Sequence, residues 1–455
     1  MHEECGVFGI INQNSDISSI NVAQLSYLGL FALQHRGQES AGIAVSNNKN
    51  ILVYRDLGLV SEVFKEGILN TLQGTAAIGH VRYSTTGSNN WESSQPILQQ
   101  YQGGSFALAH NGQLTNQDEL RRKILSSLDR YSKNCQTDSY LISQLIKATE
   151  EKNIEKAVKK TALQLKGAFC LVILTEDKLI GLRDAYGFHP LVLGRIKDSY
   201  VLASEDSALS LIEAQYIREV QPGEMIVIDK HNYHTKQLLS SPKKALCIFE
   251  QVYFARPDSN VFGENVAAIR EKIGQRLAIE QPAEADIVIS VPDSGRFAAL
   301  GYAHAAGIPY QEGLLKNPYI GRTFIQPNQT MREYSVKLKL SAISSIVIEK
   351  RVVMVDDSIV RGTTSHKLVK LLKKAGAREV HVRISSPPVN FPCRYGIDTP
   401  NKEELWATRF SLDKIRKGIG ADSLGYISLE GLTNVFEKNK PSDFCTACFS
   451  GDYPI

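Results

Sequence analysis

The chain has 455 residues, 43% hydrophobic and 22% charged, with a formal net charge of +4. That length exceeds one typical core, so two domains are expected, and the small, dispersed charge excludes a nucleic-acid-binding arm. Acidic residues stand where a secretory signal needs basic and apolar ones, and no apolar run approaches the ~20 residues that span a bilayer. A cytoplasmic protein with no membrane and no nucleic-acid partner is expected, its seven cysteines being thiols or metal ligands rather than disulfides.

In chain order, Met1–Glu4 precede Cys5, and Gly6–Ile11 predicts a strand. Removal of those leading residues would give Cys5 a free α-amine beside its thiol. An amine titrating near ~7.7–8.0 takes up the thiol proton close to neutral pH without a distant histidine. Taken alone, a cysteine in this place is more often a small buried residue.

Further strands are predicted at Ser40–Ser46, Ile51–Arg55, Ala76–Tyr83, Phe106–His110, Ala168–Leu174, Tyr200–Ala203 and Glu224–Ile228. Helices are predicted at Asn21–Gln34, Gln117–Leu128, Asp138–Ala148 and Ile154–Leu165. Grouped strands with helices between the groups imply α+β layers. The polar stretch His231–Lys244 reads as a connection between domains. Beyond it, Ile287–Val291, Val352–Val355 and Glu379–Ile384 are strand-like, with helix-like Phe297–Ala306 and Ser365–Ala375 between them. Apolar strands alternating with helices are the pattern of an α/β parallel sheet.

The strand ending at Val355 delivers Asp356 and Asp357 to the carboxyl edge of that sheet, where α/β ligands bind. Ser358, Arg361, Gly362, Thr363 and Thr364 then run into a helix, a loop able to cradle a phosphate with backbone N–H groups and hydroxyls. The paired carboxylates suit the two hydroxyls of a ribose. Adjacent carboxylates repel unless a cation or ligand offsets them, which disfavours an idle acidic strand end.

This pattern closely resembles the signature of phosphoribosyltransferases that use phosphoribosyl pyrophosphate. Ile289–Gly295 resembles their pyrophosphate loop, and 316–327 their mobile loop. The resemblance implies Mg²⁺ touched by Ser294, Asp356 and Asp357, with Lys316 and Arg322 neutralising departing charge. The chain departs from the family at Arg296-Phe297, where smaller residues are usual. It departs again at Pro318, where an arginine is usual and proline removes both a charge and an N–H.

In the first half, Cys5-Gly6, Gln34–Gly42, Gly79–Thr85, His110-Asn111-Gly112 and Thr137–Ser139 together resemble the glutamine amide transfer domain of N-terminal-nucleophile amidotransferases. The resemblance makes Cys5 the nucleophile, and the Asn111 side chain with the Gly112 N–H the oxyanion hole. It sets Arg82 on the α-carboxylate of glutamine and Asp138 on its α-ammonium. Singly, each has a structural alternative: Arg82 in an ion pair, Asp138 as a helix N-cap, and His110–Gly112 as a hairpin turn.

Cys445 and Cys448 form a Cys-x-x-Cys, with Cys247 and Cys393 upstream. Four thiolates suit Zn²⁺ or an iron–sulfur cluster, and spacing does not choose between them. In Cys247–Glu250, Pro392–Asp398 and Cys445–Phe449 the chain resembles the iron–sulfur branch of the glutamine phosphoribosylpyrophosphate amidotransferases, which bind a 4Fe–4S cluster at these four places. Cys135 and Cys170 match no ligand position and are expected in the core.

That resemblance covers nearly the whole chain. It implies a removable leader at 1–4, an αββα glutaminase sandwich over 5–235, and a phosphoribosyltransferase-type parallel-sheet domain with a C-terminal extension over 236–455. The implied reaction opens de novo purine biosynthesis: glutamine nitrogen passes as internal ammonia to phosphoribosyl pyrophosphate, giving 5-phosphoribosylamine, glutamate and pyrophosphate. Mg²⁺ and a 4Fe–4S cluster are the implied cofactors, purine nucleotides the implied inhibitors, and a homo-oligomer (a tetramer) the implied assembly. One alternative is an amidotransferase of the glucosamine-phosphate or asparagine synthetase type, against which the Asp356–Ser365 motif speaks. The other is a phosphoribosyl-pyrophosphate-binding paralogue with a weakened transferase or a regulatory role.

Overall fold

Two antiparallel sheets stacked face to face build the first half of the chain. The computed structural model describes residues 5–14, 20–83, 91–124, 137–241, 243–317, 340–399 and 401–455. The first sheet has seven strands, with Gly6–Asn12 at its centre between Ser199–Ala203 and Ala76–Arg82. The second has six, with Gly167–Thr175 paired to both Gly104–Leu114 and Leu179–Arg183. Val7, Ile11, Ala44 and Ile78 of one sheet meet Ala107, Ala109, Val172 and Leu174 of the other in a common core.

Helices cover the outer faces. Val22–Ala32, capped by the Asn21 side chain, lies on the first sheet, and Gln117–Ile124, Asp138–Lys147 and Ile154–Ala162 lie on the second. Central strands are therefore buried on both faces, which is why Gly6–Asn12 and Gly167–Thr175 are buried along their whole length instead of alternating. Gly29 lets the first helix sit directly on the sheet: a Cβ there would lie 2.3 Å from the Phe8 ring.

In the second half, Ile287–Ser290, Arg351–Asp356, Glu379–Ile384 and Ser423–Tyr426 form a parallel sheet in that order. Val353 and Val355 face helices Val266–Glu280 and Arg296–Ala306. Val352 and Met354 face Thr363–Lys374 and Leu412–Ile419 on the other side. A short parallel pair, Leu246–Cys247 with Phe444–Cys445, joins the two ends of this half. The αββα sandwich and the parallel sheet are the fold expected from the sequence.

Three local readings change. His231–Lys244 is not all connection, because Tyr233–Gln237 pairs with Glu224–Ile228 as an edge strand. Its outward residues are exposed, so backbone pairing rather than an apolar pattern defines it. Thr137, not Asp138, caps the helix that follows, accepting from the Tyr140 N–H. His110–Gly112 lies inside strand Gly104–Leu114, so the hairpin-turn alternative falls away. Residues 125–128 of the expected Gln117–Leu128 helix, together with Cys135, lie outside the described residues.

Phe8→Ala should cost about 3–5 kcal/mol, because it empties a fully buried aromatic site between sheet and helix. The check is the urea midpoint of the first unfolding transition; an unchanged midpoint would contradict this packing.

Candidate active site

Cys5 enters the central strand of the first sheet, where Gly6 pairs with Val81, so it sits beside Arg82 at one end of the sandwich. Its thiol donates to the Tyr83 carbonyl at 3.5 Å. Burial pushes the thiol up to about 11, against the Tyr83 contact and the Arg82 charge, which pull it down. The thiol is therefore protonated at neutral pH and needs a base. His80 does not serve: its Nε2 meets the His110 carbonyl at 3.1 Å, and burial lowers its pKa to about 3.

That His80 contact ties the two sheets together next to Asn111 and Gly112. The Asn111 side chain is buried, and its Nδ2 has no hydrogen-bond partner among the described residues. A buried amide donor left unsatisfied costs stability, which a substrate oxygen would recover. Arg82 is 4% exposed, with Nη1 3.5 Å from Glu39 Oε2. The Asp138 carboxylate accepts from the backbone N–H groups of Ser139 at 2.8 Å and Leu114 at 3.2 Å, and lies 3.7 Å from His110 Nδ1. Burial alone would raise its pKa, but the His110 ring and those N–H groups hold it below the usual carboxylate range. One end of the sandwich thus brings together a thiol, a cation, an anion and a free amide donor.

Behind the thiol lies a set of buried charges that carries no role in the sequence reading. Arg36, 1% exposed, donates to the Cys5 carbonyl through Nε at 3.3 Å. Its Nη1 meets Glu205 Oε1 at 2.6 Å, and its Nη2 meets Glu250 Oε1 at 2.6 Å. Glu205 also accepts from His35, the Ser259 hydroxyl and the Arg256 N–H, while Glu250 lies 3.4 Å from His189. His35, Arg36 and Glu205 precede the connection; Glu250, Arg256 and Ser259 follow it. Partners 169 and 214 residues apart leave no local pattern to read, although Arg36 and Glu250 both stand in quoted motifs.

At the carboxyl edge of the parallel sheet, Asp356 and Asp357 are nearly buried. Asp357 accepts from Ser294 Oγ at 2.6 Å and Ser358 Oγ at 2.5 Å, and its N–H donates to Asp356 at 2.9 Å. Burial, then the Asp357 charge, raises Asp356 well above the usual carboxylate range. Gly362, at φ +66, turns the loop into helix Thr363–Lys374, leaving Thr363 and Thr364 exposed at its start. Trp406, which the sequence reading passed over, packs its ring on Gly362 and donates its backbone N–H to the Val360 carbonyl.

Lys316 pairs with Asp293, Arg361 with Glu404, and Arg296 with Glu312 at 2.8 Å on the surface, so Arg296 does not crowd the loop. Arg322 and Pro318 lie outside the described residues. Tyr253, also unassigned from sequence, has its hydroxyl pKa raised by burial and then by Asp357, Asp356 and, more weakly, Tyr83.

Cys247 and Cys445 are register partners across the short parallel pair. The Cys448 thiol is raised by burial, then by Cys445 and Cys393, so these three thiols are neighbours. Among the described residues, no three Cys, His, Asp or Glu side chains form a closed single-ion cage. Cys170 is a core thiol.

A buried thiol at the same sandwich end as an amide donor without a partner among the described residues, in one chain with an Asp-Asp loop at a parallel-sheet edge, is the pairing of a two-headed glutamine-dependent phosphoribosyl transferase. A model of the glutamine amidotransferase domain family matches residues 80–211. The chain is 47% identical to the amidophosphoribosyltransferase of Mycobacterium tuberculosis over its whole length and 86% of that protein's. It is also 47% identical to the Synechococcus elongatus amidophosphoribosyltransferase, covering 92% of that protein. A solved structure of the Bacillus subtilis glutamine phosphoribosylpyrophosphate amidotransferase, complexed with ADP and GMP, superposes with a TM-score of 0.91 at 44% identity, covering 99% of this chain and 97% of that one. The chain belongs to the amidophosphoribosyltransferase family, enzymes that take the first step of purine biosynthesis. It is an enzyme that transfers the glutamine amide nitrogen to phosphoribosyl pyrophosphate.

Arg36 holds Glu250 well below the usual carboxylate range, against the burial that would raise it. The stability Glu250 contributes is therefore full above its ordinary value of 4.5 and is lost as pH falls below it. Glu250→Gln should cost about 3–5 kcal/mol at pH 7, since it leaves Arg36 buried with one partner fewer, and less at pH 3.5. Equal penalties at the two pH values, read from urea midpoints, would contradict the pairing.

Proposed function

We propose that the reaction divides between residues 5–235, which hydrolyse glutamine, and residues 236–455, which use the ammonia, after removal of Met1–Glu4 exposes the α-amine of Cys5. The observation that carries this reading is the partnerless buried Asn111 amide at the sandwich end shared by Cys5, Arg82 and Asp138. Arg82 grips the α-carboxylate of glutamine and Asp138 its α-ammonium. The α-amine of Cys5 takes the thiol proton as sulfur attacks the amide carbon, and Asn111 Nδ2 with the Gly112 N–H receives the oxyanion. The proton then goes to the departing nitrogen, leaving a thioester that water hydrolyses to glutamate.

Ammonia reaches the second site internally, past Tyr83 and Tyr253. Passage through bulk water at pH 7 would leave most of it as ammonium, without a lone pair. There it attacks C1 of the ribose and displaces pyrophosphate. Asp356 and Asp357 bind the ribose hydroxyls, while Ser358, Arg361, Gly362, Thr363 and Thr364 hold the 5-phosphate. Lys316 and Arg322 face the diphosphate, with Lys316 exchanging Asp293 for it.

Ser294, Asp356 and Asp357 fit Mg²⁺: three oxygen donors, with Asp356 raised first by burial and then by the neighbouring Asp357 charge. The ion would neutralise charge on the departing diphosphate. Cys247, Cys393, Cys445 and Cys448 fit a 4Fe–4S cluster.

Purine nucleotides are the proposed inhibitors; the Bacillus subtilis neighbour carries ADP and GMP. A homo-oligomer is supported by exposed Leu98 on an outer strand, which lines one groove with exposed Trp91. A cytoplasmic setting is proposed, and no helix among the described residues is long and apolar enough to cross a membrane.

Cys5→Ala should abolish glutamine-dependent pyrophosphate release while the ammonia-dependent reaction persists; loss of both, or of neither, would sink the division of labour. The mass of the intact active protein should lack Met1–Glu4, and a form retaining them should hydrolyse almost no glutamine. Anaerobically purified protein should be brown and contain about four iron atoms per chain, the count of one 4Fe–4S cluster. A colourless sample with one zinc would exclude the cluster.

A further inference from the structure

Gly396 stands one residue after Tyr395 in the segment that begins at Cys393, far from Gly112 in sequence. In space the two glycines abut. A Cβ built on Gly396 would lie 3.4 Å from Gly112 Cα and 3.5 Å from its carbonyl carbon, with His189 Nε2 at 3.3 Å. The Gly396 backbone has φ +126, a region L side chains rarely adopt. Two contacts fix the approach. His189 Nε2 meets the Tyr395 carbonyl at 2.9 Å, and the Tyr395 ring stacks on Phe188 with centroids 4.2 Å apart.

The far side of Gly112 is equally closed. At its φ of +136 a Cβ would lie 2.2 Å from the Ala168 carbonyl oxygen, across the sheet pairing with Phe169. The Gly112 peptide is thus held between strand Gly167–Thr175 of its own domain and a backbone segment of the other.

We propose that Gly396 is a positioning residue for amide hydrolysis: its backbone seats the Gly112 peptide so that the N–H points where the oxyanion forms. The proposal rests on the assignment of Asn111 and Gly112 as the oxyanion hole. A donor seated from behind gains catalytic value because it needs no reorganisation as charge develops, and a shift of about 1 Å at such a group costs up to 10²-fold in rate. Glutamine itself is gripped by Arg82 and Asp138, neither of which is among the atoms met at Gly396. Misplacing Gly112 should therefore act on the chemical step and spare ground-state binding.

The test compares Gly396→Ala, His189→Ala, His189→Gln and Asn111→Ala, each measured with glutamine, with ammonia, and for bound metal. Alanine at 396 must leave φ +126 and so draw the Tyr395–Ile397 backbone off Gly112. The expected result is a kcat for glutamine about 10- to 100-fold lower, with KM for glutamine within about twofold, the ammonia reaction unchanged and metal content unchanged. His189→Ala should shift kcat the same way, and His189→Gln, which keeps a donor toward the Tyr395 carbonyl, should spare it.

Undiminished kcat in Gly396→Ala, with Asn111→Ala strongly impaired, would overturn the role of Gly396 and leave the oxyanion hole standing. Undiminished kcat in Asn111→Ala would overturn the oxyanion assignment, and this proposal with it. Loss of the ammonia reaction or of metal in Gly396→Ala would assign the glycine a general structural role and overturn the proposal as well.

Discussion

A guanidinium with 1% of its surface exposed, clamped between Glu205 and Glu250, is the constraint on which the rest of this protein depends. Burying three charges costs several kcal/mol per ion, and only good geometry with every lone pair engaged offsets it. Here the contacts are 2.6 Å, and Ser259, Arg256 and His35 occupy the remaining positions on Glu205. Such an arrangement adds little net stability over an apolar core. What it supplies is location: with its Nη groups held by the two carboxylates, Arg36 turns its Nε–H to the carbonyl of Cys5.

The same cluster makes the two halves interdependent. Glu250 reaches Arg36 from beyond the inter-domain connection, and His189 touches both Glu250 and the Tyr395 carbonyl. Cys5 and the Gly112 stretch of strand Gly104–Leu114 are therefore braced by groups from the second half of the chain. The two sites differ in how they are prepared. In the glutaminase site an amide donor is kept unpaired, whereas in the transferase site Asp357 is already bonded to Ser294 and Ser358. The first keeps a buried donor with no partner among the described residues; the second has its carboxylate already oriented by two hydroxyls.

Sequence legibility followed the range of the interactions. The Asp356-to-Ser365 loop could be read because its parts are adjacent and its chemistry is local, and Cys5, Arg82, Asn111 and Asp138 because each sits in a short motif, although Asn111 lies within a strand rather than at its end. Central strands could be read from continuous apolar runs. Gln215–Glu219 and Tyr233–Gln237 could not, because edge strands are held by backbone pairing and show exposed, polar faces. His189 and Glu205 were invisible for another reason: a buried charge is explained only by its partners, and these come from segments 51 to 206 residues away. Gly396 looked like one more glycine until its neighbour across the domain joint was known.

The pairing of Leu246–Cys247 with Phe444–Cys445 gives the second half a closed outline, since it begins and ends on the same pair of strands. Holding two points so far apart along a chain carries an entropy cost that grows only slowly with the length enclosed. The last helical turn, Ala447–Ser450, therefore behaves as part of the joint beside Glu250 rather than as a free tail. For this architecture the middle of the transferase half, not its end, is where an insertion would be felt least at the glutaminase.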